Sequence, residues 1–249
     1  MKNLFLTALL LISFSTVPTL AQDVDEILNG YFENTGGKDA WSSLKGIKMM
    51  AKVNQGGLEI PLEIVQMSDG RQYTKITFQG NVIKQGVFDG TTLWSTNFQT
   101  MKAEKSDAET TENTKLDAND FPDSFFNYKD KGYTAELVGT ETMDGTETFK
   151  VKLVKEPMTV DGNEVEDVTY YYFDTESYVP IAQEAEMKQG PAKGSVMQIK
   201  MSDYQEVEGL YFPHSMTQGV KGGQSQPIMI ESIELNPEVS EEDFAFPEE

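Results

Sequence analysis

The chain has no cysteine, one histidine (His214) and one arginine (Arg71). Without cysteine there is no disulfide framework, no thiol nucleophile, no thiolate metal site and no redox pair. A single histidine cannot build the usual zinc site, and no G-x-S-x-G elbow accompanies it for a serine triad. His214 is therefore expected as a polar residue near a strand end. No P-loop and no G-x-G-x-x-G stretch is present, so nucleotide cradles are excluded and no cofactor is implied. Basic charge is scarce. The chain sets 20 Lys and Arg against 41 Asp and Glu, a net charge of −21, which repels nucleic acid and anionic lipid surfaces.

Long apolar runs are also missing beyond the first residues. Met1-Lys2-Asn3 is a short positive start, Leu4 to Val17 is almost wholly apolar, and Thr19-Leu20-Ala21 places small residues before a cut after Ala21. That pattern predicts a secretory signal peptide over 1–21. No later segment offers the ~20 consecutive apolar residues a membrane helix needs. No cysteine follows the cut to carry a lipid anchor, so the product is expected to be soluble and not lipid-anchored. No Pro/Gly/Ser-rich linker divides the remainder, and residues 22–249 are expected to form a single β-rich domain.

What is present begins with "DVDEILNGYFENTGG". Val24, Ile27, Leu28, Tyr31 and Phe32 share one helical face, Asp23 and Glu26 resemble a capping box, and Gly36-Gly37 stops the helix. The period then changes to two. Ile47, Met49, Ala51 and Val53 alternate with lysines, and Leu58, Ile60, Leu62 and Ile64 share the next face, with Gly56-Gly57 as the turn. Pro61 predicts an edge or a bulge. Further alternating runs are punctuated by Ser68-Asp69-Gly70, Gly80-Asn81, Asp89-Gly90 and Asp144-Gly145. The acidic stretch 106–120 reads as a solvated loop. "FPDSFFNYKDKG" reads as a second short helix over 121–131, with Phe121, Phe125 and Tyr128 on one face and Pro122 in its first turn. "VDGNEVED" has acidic oxygens at Asp161, Glu166 and Asp167 but lacks the EF-hand spacing, and Asp161-Gly162 marks it as a hairpin. The acidic tail carries Phe244 and Phe246, which are placed to dock on the sheet edge.

Roughly a dozen short strands at this spacing argue a mainly β fold, a barrel or a large curved antiparallel sheet. So few helices cover only part of such a sheet. The chain spends 12 methionines, many within or beside strands. Methionine suits surfaces that adapt to varied apolar partners.

Several segments resemble the periplasmic lipoprotein-carrier family of Gram-negative bacteria, the LolA/LolB-like sorting proteins. They are "TGGKDAW" after the first helix, the hairpin "VFDGTTLWSTNFQTMKAEK", "DYQEVEGLYFP", and "IMIESIELNPEVSEEDFAFP". The resemblance covers most of residues 22–249. It implies an unclosed antiparallel β-barrel, here of about 11–13 strands, with an N-terminal helix and a lid helix (121–131) on its concave face. It also implies acyl chains as cargo, an inner-membrane release complex and an outer-membrane acceptor as partners, and a periplasmic location. In the family an arginine near a strand start holds the lid closed. Arg71 stands in the comparable place, although Gln72 follows it where the family has proline. The expected apolar lining is Phe78, Leu93, Trp94, Phe98, Met101, Phe125, Met197, Ile199 and Met201. Leu93 and Trp94 are neighbours on one strand, so only one of them faces inward. Two other functions stay open: a module whose concave face binds a polypeptide or is self-filled, and a hydrolase built on two carboxylates, for which no acid pair is marked.

Overall fold

Asp23 caps the first helix, its carboxylate accepting from the Asp25 amide at 3.4 Å. In the computed structural model, which describes residues 23–247, helix α1 runs Val24–Asn34 and buries Ile27, Leu28, Tyr31 and Phe32. The predicted signal peptide lies outside the described residues. Gly36 ends the helix with φ 118°, and a Cβ there would collide with the Gly209 carbonyl oxygen and meet Leu210 Cδ2 at 2.8 Å. Gly36→Ala is expected to cost about 2 kcal/mol from strain and overlap combined, read as a shifted urea midpoint with unchanged slope. A short helix α2 (Lys38–Ser42) follows and buries Trp41, whose indole N–H donates to Thr35 Oγ1 at 3.1 Å.

The alternating runs form β1 (Gly46–Gln55), β2 (Leu58–Met67), β3 (Gln72–Phe78), β4 (Asn81–Phe88), β5 (Leu93–Thr96) and β6 (Ala103–Lys105). After helix α3 (Ala108–Ala118) come β7 (Thr134–Met143), β8 (Thr146–Val154), β9 (Met158–Val160), β10 (Asn163–Val165), β11 (Val168–Asp174), β12 (Pro180–Glu186), β13 (Val196–Val207), β14 (Leu210–Val220) and β15 (Ser225–Leu235). Thirteen strands make one antiparallel sheet in the order β6-β5-β4-β3-β2-β1-β15-β14-β13-β12-β11-β8-β7, while β9 and β10 form a separate hairpin around Asp161-Gly162. The edges β6 and β7 do not pair, so the barrel is unclosed. Pro61 lies inside β2, yet the ladder to β3 begins only at Leu62, so this residue without an N–H sits where β2 pairs on one side.

Register assigns the two faces. Ile47, Met49, Ala51 and Val53 of β1 stand opposite Gln66, Ile64, Leu62 and Ile60 of β2. This inner face carries α1, whose core cluster joins Ile47 of β1 to Phe149, Val151, Leu153 and Phe173 of β8 and β11. The outer face holds a second cluster, Val65, Tyr73, Val87 and Trp94, closed by Phe244 from the C-terminal tail. Phe246 packs edge-on against Trp94, with ring centroids 5.9 Å apart.

Two expectations about helices are corrected. The stretch 106–120 is no loop, because α3 occupies most of it. Asp107 caps that helix, accepting from the Thr110 amide at 2.8 Å. Alpha3 has no buried residue, so no apolar stripe announces it. Residues 121–131 are not a helix. They form successive turns, with Phe126 N–H donating to Asp123 O and Tyr128 N–H to Phe125 O, until Asn127 adopts φ 52°. The Phe121–Pro122 peptide is cis. The aromatic spacing there serves burial of Phe125 and Tyr128 rather than a helical face. His214 also departs from expectation. It lies in the middle of β14 and is buried, with Nδ1 3.1 Å from Phe212 O.

Candidate ligand site on the inner face

The inner face is floored by side chains placed by strand parity. On β13, Met197, Ile199 and Met201 point the same way, opposite Val220, Gln218 and Met216 of β14. On β14 and β15, Met216 faces Ile228, and Ile233 continues the face beside Met49. Ile64, Ile76, Met197, Ile199, Met201, Met216 and Ile228 are all only half-buried. Helix α1 and the turns at 121–132 cover the end of the sheet near Ile47 and Phe173 and leave this apolar strip partly open.

Two adjoining cavities lie beside the strip. The first, about 230 Å³, is bounded by Gln66 and Gln72 from β2 and β3, by Tyr171 and Gln183 from β11 and β12, and by Asp123 and Ser124. Strands β1, β15, β14 and β13 lie between those two pairs in the sheet, so the sheet curls and this face is concave. The second cavity, about 290 Å³, shares Asp120, Ser124, Tyr171 and Gln183 with the first and reaches Met197 and Ile199.

Helix α3 straps the opening. It packs against β5 near one sheet edge and against β9 on the other side. Its contacts with the β9–β10 hairpin are polar. The Glu109 carboxylate accepts from the amides of Asp161 (2.9 Å) and Gly162 (2.8 Å), and Asn113 exchanges two hydrogen bonds with Thr159. Around its C-terminal end, Lys155 binds Asp117 of the last turn (3.2 Å), Asp120 (2.8 Å) and Asp167 (3.1 Å). Burial works against the Lys155 ammonium, but these carboxylates outweigh it and hold its pKa above the ordinary lysine value. Asp123 accepts from the Phe125 amide (2.8 Å) and the Tyr31 hydroxyl (3.1 Å), and burial raises its pKa above the usual carboxylate range. An element held by polar contacts with no buried side chain belongs to the least stable parts of a fold. Glu109→Ala is expected to speed amide exchange throughout α3 at least fivefold while moving the midpoint of global unfolding by under about 2 °C.

The structure distributes the nine expected lining residues unevenly. Met197 and Ile199 line the second cavity, and Met201 continues their row. Phe125 is 3 % exposed and packs edge-on against Tyr171 and Phe173, filling the floor rather than bordering open space. Leu93 pairs with Phe88 on the inner face, and Phe78 holds the same face at the far end of β3. Trp94 takes the outer face, where its indole N–H donates to Phe244 O at 3.0 Å. Phe98 and Met101, 62 % and 44 % exposed, stand in the β5–β6 connection and border neither cavity. The Arg71 guanidinium binds Asp69 at 2.9 Å and lies 4.9 Å from the Phe244 ring centroid, so its partners are a turn and the tail, and Arg71 also borders the first cavity. Sequence reasoning missed Gln66, Gln72, Tyr171 and Gln183. Their one signal is inward parity, shared with Ile64 and Ile199. Among the described residues no cluster of acidic or histidine side chains is arranged to hold a metal, and no helix is long and apolar enough to cross a membrane.

A strongly bent open sheet, with a helix on its concave face and a cavity beneath a strap, defines the class as an unclosed antiparallel barrel. Among solved structures this fold is shared with a LolA superfamily protein from Nitrosomonas europaea, with a TM-score of 0.53 and 12 % identity over 90 % of this chain and 98 % of that one. It is shared as well with a DUF1329 family protein from Desulfovibrio piger (TM-score 0.52, 13 % identity, 88 % and 97 % covered). A Vibrio parahaemolyticus domain described as an outer membrane lipoprotein-sorting protein matches with a TM-score of 0.50 and 13 % identity, over 88 % and 94 %. The chain thus has the LolA-like fold. No family model and no curated protein matches its sequence.

Proposed function

We infer that this chain is a non-catalytic periplasmic carrier or sensor that reversibly buries acyl chains, of a lipoprotein or of another lipid-like ligand, on the concave face. The observation that carries this reading is the half-buried row Met197, Ile199 and Met201, which continues into the second cavity, beside the first, which the polar strap α3 borders through Asp117 and Ala118. Each methylene moved from water onto this surface is worth about 0.8 kcal/mol, so roughly six methylenes supply about 5 kcal/mol. The LolA-like fold adds to the reading, and an inner-membrane release complex and an outer-membrane acceptor are the partners it implies. The floor that Phe125 fills on Tyr171 and Phe173 favours one second reading, a self-filled face that binds a polypeptide.

The test is to purify the chain, extract it with organic solvent, and seek co-purifying lipid by mass spectrometry while titrating a fluorescent fatty-acid probe. Ile199→Glu places a carboxylate on the row and is expected to weaken the probe at least tenfold with the fold intact by circular dichroism. No extracted lipid together with no saturable probe binding would sink the carrier reading.

A further inference from the structure

The cavity under the strap is more polar than the row beside it, and three of its polar groups are glutamine amides. Gln66 faces Gln72 across the β2–β3 ladder, and Gln183 faces Tyr171 across β11–β12. All four border the first cavity, together with Ser124. None of the three glutamine amides makes a side-chain hydrogen bond to another described residue; Gln66 is exposed and Gln72 and Gln183 are half-buried, so solvent or a ligand reaches all three. A primary amide both donates and accepts, so a ligand head that displaces water from these amides is held best if it does both as well.

The charges around the two cavities are mostly acidic, and the cations among them are already paired. Arg71 borders the first cavity and Lys155 the second, and they are bound to Asp69 and to Asp117, Asp120 and Asp167 respectively. Asp117, Asp120 and Asp123 themselves border the first cavity. A phosphate or free carboxylate brought here would meet carboxylates and no unpaired cation, in a space where burial already disfavours the charge of Asp123.

We propose that the Gln66–Gln72–Gln183–Tyr171 cavity receives the uncharged, hydroxyl- or amide-bearing head of the amphiphile whose tail lies along Met197, Ile199 and Met201, and that it turns away anionic heads. This rests on the carrier reading and adds to it the chemistry of the cargo. The geometry is continuous, because the second cavity shares Ser124, Tyr171 and Gln183 with the head end and Met197 and Ile199 with the tail end. The amides read head groups as they would in any polar pocket, by paired donor and acceptor contacts that an anion cannot reciprocate.

Matched twelve-carbon amphiphiles test it by displacing N-phenyl-1-naphthylamine, a neutral probe with no polar head to be read. Monolauroylglycerol and dodecyl maltoside are expected to bind at least tenfold tighter than laurate and dodecyl phosphate. Gln72→Leu and Gln183→Leu should each reduce that preference at least threefold, with each affinity taken relative to the headless probe on the same variant. Gln183→Lys, which brings in an unpaired cation, should move the preference toward dodecyl phosphate. Equal affinities for neutral and anionic heads, or tighter binding of the anionic ones, would overturn this proposal and leave the carrier reading standing. If the headless probe itself fails to bind, the carrier reading fails and this proposal falls with it.

Discussion

Phe244→Ala is expected to lower the free energy of folding by about 3–4 kcal/mol, within the usual range for truncating a fully buried phenylalanine. Phe244 is 0 % exposed and completes the outer cluster with Val65, Tyr73, Val87 and Trp94. Its ring centroid lies 5.4 Å from that of Tyr73 and 4.9 Å from the Arg71 guanidinium carbon. The tail reaches this place as a short 3-10 turn, Glu241–Asp243, which Ser240 caps. A plain alanine keeps the carbonyl that accepts from Trp94, so the loss measures packing and the cavity left behind rather than a broken hydrogen bond. Urea unfolding followed by fluorescence and circular dichroism would report it as a lower midpoint with unchanged slope. A loss under about 1 kcal/mol would mean that the tail is not docked. Because the cluster faces away from the cavities, affinity for the headless probe should stay within twofold at temperatures where the variant is folded.

Lys155→Met is expected to cost about 3 kcal/mol, since removing one partner leaves enclosed charges without compensation. The Lys155 side chain is 13 % exposed, and those of Asp120 and Asp167 are 21 % and 23 % exposed, which keeps the figure at the lower end for an enclosed pair. Asp120 has a second reason to matter. Its Oδ1 is buried without a hydrogen-bond partner among the described residues, so the lysine on Oδ2 is the compensation it has. Adding Asp120→Asn to Lys155→Met should restore at least half of the loss, because it removes the stranded charge. Non-additivity of this size in a double-mutant cycle is the decisive readout. Strict additivity would show that Lys155 stabilises by packing its stem instead.

Much of the architecture is legible in residue order. The i, i+3, i+4 spacing from Val24 to Phe32 marks α1, and period-two alternation with Gly and Asp-Gly turns marks most of the strands. Alternation also puts Met197, Ile199 and Met201 on one side without any structure in hand. The strap could not be read that way. Alpha3 buries none of its residues, so it lacks the apolar stripe from which a helix is inferred, and only the Asp107 cap hints at it. The turns at 121–132 misled for the opposite reason, because aromatic spacing that fits a helix buries Phe125 and Tyr128 from a run of turns instead.

Leu93 and Trp94 show where the boundary falls. Their adjacency dictates opposite faces, because side chains alternate along any strand. Which of them turns inward depends on pairing with β4, where Phe88 takes Leu93 and Val87 takes Trp94, and on a tail about 150 positions later that offers Trp94 a carbonyl and a ring. The same holds for the cavity. Local spacing sets which way Gln66, Gln72 and Gln183 point, but their meeting requires the sheet to bend across four intervening strands. Alternation is a property of neighbours along the chain and survives in any β-sheet. Convergence of β2 and β3 on β11 and β12 is a property of the curl, which arises from the packing of thirteen strands around α1 and is written in no single segment.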